Sequence, residues 1–133
     1  YFTSTKKRGD TMAWNLNSDR PIFIQIVERI EMDIISGKYK PGDKLPSVRD
    51  FAAEAAVNPN TMQKAFTELE RTGLVFSQRT TGRFITEDTS MIDELKSTLA
   101  KDKITELLSF MQQLGFQENE ILAMIGQTMK GEK

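Results

Sequence analysis

The chain has 133 residues, 38% of them hydrophobic and 28% charged, and a net charge of -1, which suits one modest globular domain or a small domain with an appendage. Bulk charge therefore does not announce a polyanionic partner. The absence of both cysteine and histidine excludes disulfides, thiol nucleophiles, Ser-His triads and Cys- or His-ligated metal sites.

The opening YFTSTKKRGDT has no apolar periodicity. Residues 1–19 are expected to be a leader, either disordered or a vector-derived remnant, with Met12 as a natural start. Its isolated KKR cluster reads as part of that leader rather than as a phosphate-binding arm. Along the whole chain no apolar run approaches the roughly 18 to 20 residues that would span a bilayer, so a cytoplasmic protein without a membrane partner is expected.

From Pro21, the stretch PIFIQIVERIEMDIISGKY places Phe23, Ile26, Val27, Ile30 and Ile34 on one helical stripe, with Gly37 as its stop. YKPGDKLP then reads as a Pro-Gly turn and a short connection. Ser47, three residues before Asp50 and just after Pro46, predicts the N-cap of a second helix with Val48, Phe51, Ala52 and Ala55 inside. After a tight turn at Ala56-Val57, Asn58-Pro59 predicts an amide-capped third helix, and Gly73 ends it. Its inner face is Met62, Ala65, Phe66 and Leu69. Its outward face carries Asn60, Thr61, Gln63, Lys64 and Thr67, amides and hydroxyls where solubility alone would favour a Glu/Lys mixture. Two short helices separated by a few residues, after a longer one, are the outline of a helix-turn-helix.

Residues 74–86, LVFSQRTTGRFIT, change to a strand period around Thr80-Thr81-Gly82 and predict a hairpin, placed as a wing would be. Beyond Glu87 the helical period returns, with apolar stripes through Leu95, Leu99, Ile104, Leu107, Leu108, Met111 and Leu114, a break at Gly115, then Ile121, Leu122, Ile125 and Met129. A tail this short can bury such stripes only against the first domain or a second copy of the chain, and symmetric dimerisation is the simpler expectation. The tail is also acidic: residues 87–133 carry five basic against nine acidic residues, while residues 21–86 carry nine against eight. Such a polarity would suit a head that presents a face to a polyanion.

Taken together, PIFIQIVERI, GKYKPGDKLPSVRDFA, VNPNTMQKAFTELERTGLV and TTGRFI resemble the winged helix-turn-helix domain of the GntR family of bacterial transcription regulators, and the short tail with LGFQENEI resembles its YtrA-type branch. The match covers about residues 20–125. The resemblance implies a mainly α fold with a small β-hairpin: a winged helix-turn-helix head over 20–86 and a helical dimerisation segment over 88–130. It implies a sequence-specific DNA-binding regulator, most often a repressor, that meets double-stranded DNA as a homodimer on an inverted-repeat operator. At the place of Arg49 the family has an arginine that contacts DNA. The chain departs from the family pattern at Thr80, where glycine is usual, and at Arg83, where a small residue is usual.

The expected DNA-binding residues are Ser47, Arg49, Asn58, Asn60, Thr61, Gln63, Lys64, Thr67, Arg79, Thr81, Gly82 and Arg83. Gln and Asn can bond adenine edges in a major groove, Lys can reach guanine or phosphate, and a helix N-terminus at Ser47 favours anions. Arg79 and Arg83 are expected on phosphate, although Arg83 could instead enter a minor groove or pair with a neighbouring carboxylate. Tyr39, Lys40 and Lys44 form a basic patch with an adjacent aromatic, as consistent with a solvated loop as with a phosphate contact. No cofactor, metal or catalytic motif occurs, and no small-molecule effector is legible. The reading from another class is a winged helix used as a protein-protein adaptor, which the near-neutral head permits.

Overall fold

The computed structural model describes residues 14–131; the leader reading of residues 1–13, with Met12 as a start, lies outside them. The chain forms two compact units that divide after Asp93.

In the first unit, α1 (Ile22–Ile35), α2 (Val48–Ala55) and α3 (Pro59–Thr72) are followed by the strands β1 (Val75–Gln78) and β2 (Gly82–Ile85). The helix stops and starts follow from local chemistry. The Ser47 hydroxyl accepts the Asp50 N–H at 3.1 Å, and the Asn58 amide oxygen accepts the Asn60 N–H at 2.7 Å, each satisfying one of the donors a helix start leaves open. Gly73 closes α3 in the left-handed region at φ 90°. Ala56 does the same for α2 at φ 61°, ψ 44° without being glycine.

Phe51 is the hub of the core. Fully buried, it takes edge-on contacts from Trp14 at 5.4 Å, Tyr39 at 6.2 Å and Phe66 at 5.7 Å between ring centroids. Ile26, Ile30, Met62, Leu69, Val75 and Ile85 complete the interior, so the stripes of α1 and α3 and the first residue of the wing share one apolar volume.

Residues 14–19, grouped with the leader in the sequence reading, pack against this core. Trp14 is buried, with its indole N–H 3.4 Å from a Glu54 carboxylate oxygen and the Arg29 guanidinium 4.7 Å over its ring. The buried Gln25 side chain holds the segment to α1. Its amide donates to the carbonyls of Asn17 at 2.7 Å and Arg20 at 3.0 Å and accepts the Asn17 N–H at 3.0 Å.

The hairpin pairs Val75 with Ile85 and Gln78 with Gly82, as its period predicts. The connection before α2 also joins it. Ile85 N–H donates to Asp43, Leu45 N–H to Arg83 and Gly42 N–H to Ile85, so residues 42–45 run alongside β2, with an isolated antiparallel bridge between Lys44 and Phe84 next to the two-stranded sheet. Four residues flanked by prolines, polar at two positions, carry too little alternation to announce this in the sequence.

The second unit contains most of α4 (Thr89–Gln113) and all of α5 (Glu118–Met129). A Schellman turn separates them. Phe116 N–H donates to the Met111 carbonyl and Gly115 N–H to that of Gln112, with Gly115 at φ 98°. Within this unit Met111 and Ile121 are buried, while Leu107, Phe110, Leu114, Leu122 and Met129 are exposed.

Candidate nucleic-acid interface

Three elements meet along one open groove of about 880 Å³ in the first unit. The N-terminus of α2 contributes Ser47, Arg49 and Asp50, α3 contributes Gln63, and the wing contributes Thr80, Thr81, Gly82 and Arg83. The 42–45 segment adds Lys44, beside Tyr39. Pairing with β2 is what brings Lys44 here: it bridges Phe84, and its side chain crosses Gly82 so closely that a Cβ there would lie 2.9 Å from Lys44 Cε. Gly82 also sits at φ 120°, so any other residue would be strained there and would push the Lys44 side chain aside.

Of the expected DNA-binding residues, the groove therefore gathers Ser47, Arg49, Gln63, Thr81, Gly82 and Arg83. Asn60, Lys64 and Thr67 are exposed along α3 outside its lining, and Arg79 is exposed at the wing. Gln63 leans along the helix, its amide 3.4 Å from the Thr67 hydroxyl. Asn58 and the half-buried Thr61 border a smaller recess of about 400 Å³ that Trp14 also lines. Lys64 lies 4.2 Å over the Phe23 ring of α1. Its ammonium is held beside α1 rather than extended freely from the helix.

Arg83 has the partner that the sequence reading left open. Its Nε donates to a Glu70 carboxylate oxygen at 3.2 Å, and its guanidinium carbon lies 5.1 Å from the Phe66 ring centroid. The other α3 carboxylate is also compensated. Glu68 accepts from Arg71 Nε at 3.1 Å, and the Arg71 guanidinium holds the Glu68 carboxyl below its ordinary pKa. Both acidic residues of α3 are thus paired with arginine, which removes the charge that would otherwise repel a polyanion from this helix. Glu70 carries no motif and was missed; its spacing to Arg83 across a turn and two strands gives no local signal. For Lys44 the sequence leaves a solvated loop and a phosphate contact equally open, because the bridge to Phe84 that brings it to the groove has no local signal.

The arrangement offers convergent hydrogen-bonding groups on a helix, the Ser47-capped N-terminus of α2 and cations at the borders, which is the chemistry of base-edge and phosphate recognition. Comparison with known proteins agrees. Residues 24–85 match the family model described as bacterial regulatory proteins, gntR family. The chain is 40% identical over 105 residues to the HTH-type transcriptional regulator YhcF of Bacillus subtilis, covering 79% of this chain and 87% of that one. It is also 40% identical over 97 residues to the transcriptional repressor YtrA of the same organism, covering 73% and 70%. Among solved structures, a GntR family transcriptional regulator from Listeria monocytogenes superposes with a TM-score of 0.80 at 38% identity, over 84% of this chain and 98% of the other. The chain belongs to the GntR family of bacterial regulatory proteins, and is a helix-turn-helix transcription regulator rather than an enzyme.

Proposed function

We propose that the chain is a cytoplasmic repressor that acts as a homodimer, occupying an inverted-repeat operator through two heads related by a two-fold axis. The observation that carries this reading is the convergence of Ser47, Arg49, Gln63 and the wing on one groove beside the exposed polar face of α3. In this reading α3 enters the major groove, where Asn60, Gln63 and Thr67 bond base edges. Arg49, Ser47, Thr81 and Arg79 take phosphates and fix the register.

Dimerisation is supported by the tail. Leu114 is 59% exposed, Leu122 64% and Phe110 57%, an apolar surface that a folded chain seldom leaves to water. A second copy supplies matching stripes by symmetry. Repression is supported by the name of the YtrA relative, since occupying an operator needs no further domain. No helix among the described residues is long and apolar enough to cross a membrane.

Selection of bound duplexes from a random pool, with the full chain, tests the proposal. Enrichment of one palindromic site with binding that weakens steeply in salt is expected. Recovery of no preferred sequence, together with a salt-insensitive complex with another protein, would favour an adaptor role instead.

A further inference from the structure

One contact in the head is unusual in its construction. Ser77 of β1 and Arg83 of β2 are cross-strand partners in the hairpin, and both donate to the same oxygen of Glu70 on α3, Ser77 through its hydroxyl and Arg83 through Nε. The carboxylate therefore fastens both strands of the wing to α3. Phe66, fully buried in α3, supports the face of the guanidinium from below at 5.1 Å. Arg83 is left with a side chain only 25% exposed, yet its two terminal nitrogens bond nothing among the described residues. Those are the groups with which a planar guanidinium grips an anion side by side. Arg83 borders the groove together with Arg49 and Gln63.

We propose that Glu70 is a positioning residue for DNA contact: by holding Arg83 Nε, it presents the arginine's terminal nitrogens to a backbone phosphate at the edge of the groove. The inference rests on the groove being the DNA interface. The order carboxylate, guanidinium, phosphate alternates in charge, so Glu70 strengthens the contact although it is itself an anion near DNA. Orienting the arginine before binding also spares the entropy of freezing a long side chain at the moment of contact.

The test is titration of the full chain against the duplex recovered from the random pool, at several salt concentrations, for wild type, Glu70→Gln, Arg83→Ala and the double variant. Thermal melting of each protein checks that it is folded. Arg83→Ala should weaken binding about tenfold, the scale of one charge-assisted hydrogen bond, and reduce the salt slope by about 0.9, one phosphate's worth. Glu70→Gln should weaken binding several-fold in the presence of Arg83. In the Arg83→Ala background it should be neutral or slightly favourable, because the carboxylate there can only repel. Arg83→Lys should keep the salt slope while losing the dependence on Glu70, since lysine has a single nitrogen and no separate Nε by which the carboxylate could hold it while a planar pair of nitrogens faces the phosphate. An equal loss from Glu70→Gln in both backgrounds would reduce Glu70 to a structural brace and overturn the proposal. Tighter binding by Glu70→Gln in wild type would overturn it the other way, making the ion pair a restraint that DNA must break. If wild type selects no duplex at all, the DNA-interface reading fails first, and that outcome is distinct from the other two.

Discussion

Phe51 of α2 and Phe66 of α3 meet edge-on with ring centroids 5.7 Å apart, both fully buried, at the contact between the two helices of the helix-turn-helix. The pair fixes how α3 is held out from the head, so the site depends on it although neither ring faces the groove. Phe51→Ala removes the hub that Trp14 and Tyr39 also touch. It should cost about 3–5 kcal/mol, read as a lower urea midpoint, with DNA binding lost in step with folding.

Ala56 points the other way. At φ 61°, ψ 44° it occupies a conformation that costs an L-residue roughly 1–2 kcal/mol. Glycine adopts it freely but loses about 0.5–1 kcal/mol in chain entropy. Ala56→Gly should therefore raise stability slightly, by about 0.5 kcal/mol, in a denaturant melt, without altering the residues that face the groove.

These two positions show what was legible in the sequence. Helix starts and stops were readable because Ser47, Asn58-Pro59 and Gly73 act on backbone groups within three residues of themselves. The inner and outer faces of α3 were readable because a helix repeats every 3.6 residues. Three features were not. The 42–45 segment bonds to β2 some forty residues later in the chain, the Trp14 segment depends on Arg29, Gln25 and Glu54 for its place, and the Glu70–Arg83 pair spans 13 residues. Each is a tertiary contact, fixed only when the elements have packed. Half of the candidate site was therefore visible as residue types, and its assembly into one groove was not.

Base contact and phosphate contact should separate in measurement. Gln63→Ala should cost about 1–3 kcal/mol against the preferred site and relax the choice at one base pair, leaving the salt slope unchanged. Arg49→Ala should weaken binding to all duplexes alike and reduce the slope by about 0.9. Affinities over a panel of single-base variants at several salt concentrations check both.

Glu31 predicts a pH dependence of stability. Burial in α1, with Glu28 and Glu68 nearby, raises its carboxyl from 4.5 to about 6. Between those values the folded protein binds more protons than the unfolded chain, so this group's contribution is fully present below pH 4.5 and is lost as pH rises through 6. Glu31→Gln should remove that loss, raising stability at pH 7 by about 1 kcal/mol after allowance for solvent screening. Urea midpoints at pH 4.5 and pH 7 should show the variant's gain at the higher value only.

The central claim is that α3 lies in a DNA groove, in pairs. The chain contains no cysteine, so Gln63→Cys gives a single site for an iron-chelate reagent that cleaves DNA within reach. On the selected duplex, two symmetry-related clusters of major-groove cleavage are predicted, their centres one or two helical turns apart. Cleavage that is absent or uniform along a duplex the labelled protein demonstrably binds would contradict the account.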